Sequence, residues 1–116
     1  MRLGDNVKDV RNAVVAAREY VLQQFDLSPS SIEEVNNGYC NVVAIQAAKS
    51  LPTGDVTVLE LQRDEHSHVW LTADGKHFDA EAPSGVGDWR ELPFFSRHQP
   101  AEGSDPIVYL PANDLI

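Results

Sequence analysis

Apolar residues recur every three or four positions from Asp5 to about Phe25, at Val7, Val10, Val14, Val15, Ala17, Val21, Leu22 and Phe25. Lys8, Arg11, Arg18 and Glu19 fall between them, so the period predicts an amphipathic helix capped by Asp5 or Asn6. Asp26 to Ser31, with Pro29, breaks the pattern. Ser30 or Ser31 with Glu33 and Glu34 can then start one short turn before the Asn37-Gly38 turn signal. From Tyr39 to Leu51 the character changes: Val42, Val43, Ala44, Ile45, Ala47 and Ala48 leave only Asn41, Gln46 and Lys49 polar. A helix this apolar must be covered on most sides, which implies a central, buried helix beginning at Cys40.

Alternation takes over downstream. Pro52 to Asp55 reads as a turn, Val56 to Gln62 as a β-branched strand and Arg63-Asp64-Glu65 as a second turn. Ser67 to Ala73, Asp74-Gly75 and Lys76 to Ala82 form a hairpin with a two-residue type I′ turn. Ser84 to Gly87 reads as loop, Asp88 as the cap of a short helical turn through Leu92, Gln99 to Pro106 as a polar connector, and Ile107 to Leu110 as a last strand closed by Pro111. The hairpin places Ala73 opposite Lys76, Trp70 opposite Asp79 and His68 opposite Glu81. One face of the ribbon then carries His68, Trp70, Thr72, His77, Asp79 and Glu81, and the other carries Val69, Leu71, Ala73, Phe78, Ala80 and Ala82. The second face belongs to the core. On the first, either carboxylate reaches the His68 imidazole, Glu81 from directly opposite and Asp79 from the diagonal.

Composition narrows the possibilities. At 116 residues and 42% hydrophobic, the chain supports one core, and residues 1–116 read as one domain. A net charge of −9 repels nucleic acid and anionic lipid, so neither is expected as a partner. One cysteine cannot close an internal disulfide, and charges instead of an apolar run follow the first residues. Neither a signal peptide nor a membrane span is expected, and the cytoplasm is the expected compartment.

The chemistry centres on Cys40, His68 and Asp79. A thiol attacks well only as thiolate, and a helix N-terminus with an imidazolium beside it favours that form. His68 would protonate a leaving amine, while Asp79 fixes its tautomer. For an oxyanion the available donors are the Cys40 backbone N–H and the side chain of Asn36 or Asn37, with the Trp70 indole as another. Each residue also has a plainer reading. A solitary cysteine is commonly a small buried hydrophobe, His68 and Asp79 can be ordinary strand residues, and Trp89, Phe94 and Phe95 read as packing. His66-x-His68 and His77-x-Asp79 have metal-ligand spacing, but His77 falls opposite Thr72, away from His68. No metal or cofactor is expected.

Gly38-Tyr39-Cys40, His68-Val69-Trp70, Gly75 and Phe78-Asp79 together resemble the transglutaminase-like branch of the papain-like cysteine hydrolases. That family shows Gly-x-Cys at the start of a central helix, His-x-Trp on a strand, a glycine in a hairpin turn, then an aromatic and Asp. The resemblance covers about Asn37 to Ala82. It implies a Cys40 nucleophile, a His68 acid/base and an Asp79 orienting group acting on amide or thioester bonds through an acyl-enzyme. The expected fold is α+β: an N-terminal helix, a central Cys-bearing helix and an antiparallel sheet of about four strands. The expected function is a thiol-dependent hydrolase of a peptide or isopeptide-like amide in a peptide or protein substrate. Acyl transfer to an amine uses the same residues. A non-catalytic binding or inhibitor domain on the same scaffold is the reading from another class.

Overall fold

A computed structural model describes residues 3–28, 32–51, 56–61, 67–100 and 103–110. The amphipathic period folds as α1, Leu3–Gln24, with Val10, Val14, Ala17, Val21 and Leu22 buried along one stripe. The helix reaches back past the expected cap, so Asp5 and Asn6 lie inside its first turns. The expected single turn is a helix of two, α2 at Ile32–Gly38, and Asn37-Gly38 ends it instead of forming a separate turn. Only Tyr39 separates α2 from α3, Cys40–Lys49. Its N–H donates to the Val35 carbonyl at 2.8 Å and its carbonyl accepts from Val43 N–H at 3.1 Å, so α2 leads almost without a break into the helix that carries the thiol.

Strands β1 (Val56–Leu61), β2 (His68–Ala73), β3 (Lys76–Asp79), β4 (Ala82–Val86) and β5 (Ile107–Leu110) form an antiparallel sheet ordered β4-β3-β2-β1-β5. The hairpin register is as the sequence predicts: Ala73 faces Lys76, Thr72 faces His77 and Leu71 faces Phe78. Asp74 and Gly75 both take positive φ, 54° and 77°, as a type I′ turn demands. The expected continuation of β3 to Ala82 does not occur. Asp79 Oδ1 accepts from the backbone N–H of Glu81 at 3.0 Å and of Ala82 at 2.9 Å, and these bonds turn the chain at Ala80-Glu81, a local competition typical of aspartate. The stretch expected as loop then returns as β4, so the sheet has five strands instead of about four. Pro83 is tolerated because β4 is an edge strand. Gly85 is required there: its φ is +86°, and a Cβ would meet Phe78 Cε2 at 2.7 Å.

Both faces of the sheet are covered. Val56, Val58, Val69, Leu71, Ala73 and Phe78 pack with the buried stripes of α1 and α3. On the opposite face Leu61 and Trp70 pack with Trp89, Leu92, Phe94 and Phe95. These come from a short 3-10 turn, Trp89–Glu91, and from α4, Pro93–Arg97. Asp88 caps the turn, as expected, through a reciprocal box with Glu91. Pro93 starts α4 instead of merely ending the turn, at a position where its missing N–H costs nothing. No helix among the described residues is long and apolar enough to cross a membrane.

Candidate active site

Three elements bring their ends together. β2 begins at His68, β3 stops at Asp79, and α3 begins at Cys40. His68 is fully buried, Asp79 is 4% exposed and Cys40 is 9% exposed. His68 Nε2 bonds Asp79 Oδ2 at 2.9 Å. A carboxylate oxygen only accepts, so the imidazole carries a proton on Nε2 and Nδ1 is the nitrogen left for other work. Among the described residues nothing meets Nδ1 at full hydrogen-bond geometry. The Cys40 thiol lies beside the ring, near enough for hydrogen bonding and charge to act between them. Burial pulls the His68 pKa down, but the bond to Asp79, the hydrogen bonding with Cys40 and the charges of both outweigh it, and the net shift is upward.

The Asp79 carboxylate is saturated. Oδ1 takes the two backbone N–H groups of its own turn, while Oδ2 takes His68 and the Asn36 Nδ2–H at 3.1 Å. The second Asn36 hydrogen goes to Glu81 Oε1 at 2.9 Å. Only the nitrogen side of an amide can face two carboxylates, which fixes how this side chain points. Glu81 is in turn held by Arg97, Nη2 to Oε1 at 2.6 Å and Nη1 to Oε2 at 3.2 Å. Arg97 Nε also pairs with Glu33 at 3.2 Å. The hydrogen bond to Glu81, aided by the charges of Glu81, Glu33 and Asp79, outweighs burial and holds the guanidinium pKa above its usual value.

Several expected roles change. Glu81 does not face His68, because the chain turns at Ala80-Glu81 before that register is reached, so the imidazole has Asp79 as its carboxylate. Asn36 is no oxyanion donor, since both its amide hydrogens are spent on carboxylates. Trp70 is no oxyanion donor: it is fully buried, and its indole N–H donates to His77 Nδ1 at 3.0 Å. Asn37 is backbone of α2, and its side chain and all of His66 lie outside the described residues. His77 does pair with Thr72, away from His68.

Phe94, read from sequence only as packing, stacks on His68 with ring centroids 4.2 Å apart and planes 6° from parallel. Phe95 meets the same ring edge-on at 5.6 Å. The aromatic group therefore seals the imidazole and presents a π face to it, which favours its charged form. The signal for this was the clustering of three aromatics around Pro93, but nothing local said which residue they would cover. Arg97 carries no such signal, because a lone arginine between Ser96 and His98 has no pattern to betray a partner far away in sequence. Compared with known proteins, the chain matches no family model, no curated protein and no solved structure.

Proposed function

We propose that the chain is a thiol-dependent hydrolase of a peptide or isopeptide-like amide, on a papain-like, transglutaminase-like core. The observation that carries this reading is the array from Asp79 through Nε2 of a buried His68 to a thiol on the first residue of a helix. Its only unmatched ring atom, Nδ1, is the one that would take the thiol proton. In the proposed cycle Cys40 gives its proton to Nδ1 and its sulfur bonds the substrate carbonyl carbon, with the Cys40 backbone N–H toward the oxyanion. The C–N bond then breaks as the imidazolium returns that proton to the leaving amine. Water, deprotonated by His68, attacks the thioester, and the S–C bond breaks as the imidazolium returns the proton to the Cys40 sulfur, releasing the acid. Asp79 holds the ring and stabilises its charged form throughout.

An amine in place of water would make the same site an acyl transferase. The near-complete burial of His68 and Cys40 is the observation on the side of a binding domain that kept the scaffold without turnover. An activated acyl donor separates these readings. With p-nitrophenyl acetate, the intact protein is expected to gain one acetyl group on Cys40 and to lose it again in buffer, faster still with added amine if transfer is the reaction. Cys40→Ser, a small change expected to leave the fold intact by circular dichroism, and His68→Ala should gain none. A folded wild-type protein that never acetylates at Cys40 would remove the enzyme reading.

A further inference from the structure

Beyond the three residues of the proposed site, a chain of polar contacts runs outward without a gap: His68 to Asp79, Asp79 to Asn36, Asn36 to Glu81 and Glu81 to Arg97. Its charges alternate in an unusual way. Two carboxylates, Asp79 and Glu81, share one neutral amide, and Arg97 brings the permanent positive charge to this array. An amide can bridge two acceptors, but it cannot neutralise them. Two carboxylates brought this close both stay charged at a cost unless a cation balances one of them. We propose that Arg97 is a positioning residue for this site: it holds and neutralises Glu81, and through the shared Asn36 amide it sets the carboxylate that orients His68. This rests on the reading of Cys40, His68 and Asp79 as the reacting array, since a positioning residue needs a reaction to serve.

Placement supports a role beyond a surface ion pair. Arg97 and Glu81 have side chains 28% and 17% exposed, and the contact is bidentate, the geometry in which a guanidinium fixes a carboxylate plane. Arg97 also stands one helical turn from Phe94, the residue stacked on His68, so one short helix touches the imidazole directly and through the carboxylates. Among the described residues few titratable groups stand around His68. Cys40 faces it from α3, Asp79 from β3, His77 from β3 by way of Trp70, Glu81 from the following turn, Glu33 from α2 by way of Arg97, and His98 at the end of α4 by way of Phe94.

The test reads the His68 ring by NMR titration together with the pH profile of Cys40 alkylation by iodoacetamide. Arg97→Met removes the cation and keeps the aliphatic stem. It leaves Glu81 uncompensated, and the His68 midpoint is expected to rise by about half a pH unit, roughly a threefold gain in proton affinity. Glu81→Gln, close to isosteric, leaves the cation uncompensated and should move the midpoint down by a similar amount. The double variant removes both charges and should return it to the wild-type position, although the ion pair is gone. A clamp with no electrostatic role gives another pattern: both single variants shift the same way, and the double does not recover. That pattern, or unmoved midpoints in variants shown to be folded, would overturn the assignment of Arg97. Failure of the hydrolase reading is read separately, as a wild-type thiol whose alkylation ignores His68.

Discussion

His68 and His77 sit on the same face of neighbouring strands, and Trp70 contacts both rings, at 5.8 Å and 6.3 Å between centroids. Burial disfavours the charged form of each. Yet their pKa values move in opposite directions. His68 has a carboxylate on Nε2, a thiol beside it and an aromatic face over it, and it is raised above the ordinary histidine value. His77 accepts the Trp70 N–H on Nδ1; burial lowers it, and the charge of Asp88 only partly offsets this. A lone pair used as an acceptor must be given up before the ring can charge. Burial acts on both imidazoles, and partnership separates them: the bonds and charges of Asp79 and Cys40 outweigh it at His68, while at His77 the charge of Asp88 does not.

The largest way to break the contrast is Asp79→Ala. It strands His68 Nε2, one hydrogen of the Asn36 amide and two backbone N–H groups, and the expected loss is about 3 kcal/mol in urea unfolding. His68 should then fall to the His77 side of the ordinary value, and thiol reactivity should drop more than in Glu81→Ala. The reverse ranking would move the orienting role to Glu81. Trp70→Phe works on the other ring: losing the indole donor costs about 1 kcal/mol, and the His77 midpoint rises while that of His68 stays. Phe94→Leu keeps an apolar cover but removes the π face, worth about 0.5–1 kcal/mol to a cation. Its expected mark is a lower His68 midpoint, restored by Phe94→Tyr.

The smallest effect lies in the pH dependence of stability. A raised midpoint means that the folded state binds the proton more tightly than the unfolded chain. The His68 contribution is therefore complete below the ordinary value near 6.5 and is lost as pH rises through the raised midpoint. For His77 the sign reverses: its contribution is present above 6.5 and is lost as pH falls through the lowered midpoint. The two slopes oppose one another. His77→Asn should accordingly remove the gain in stability that accompanies rising pH below about 6.5 and leave the decline above it in place, measured by thermal unfolding over a pH series.

Much of this was legible in the chain. Periodicity gave α1 and α3, alternation gave the two faces of the hairpin, and Asp74-Gly75 gave its register. The order of Cys40, His68 and Asp79 pointed to the residues that meet. What stayed hidden depends, with one local exception, on partners distant in sequence. Ala80-Glu81-Ala82 alternates well enough to continue a strand, and only the bonds from Asp79 to its own backbone turn it. The face holding His68 looks solvent-exposed on the hairpin alone, because its cover arrives from Trp89, Phe94 and Phe95. Asn36 was singled out for an oxyanion from its nearness to Cys40 in sequence, while its actual neighbours, Asp79 and Glu81, lie some forty residues away.

The central claim is that His68 and Cys40 act as a pair. It is tested most directly by the rate of Cys40 alkylation with iodoacetamide across a pH series, in the wild type and in His68→Ala. A working pair alkylates rapidly near neutral pH, and the rate is expected to fall at least about tenfold without the imidazole. Equal, slow rates in both proteins would contradict it and leave Cys40 a buried structural residue.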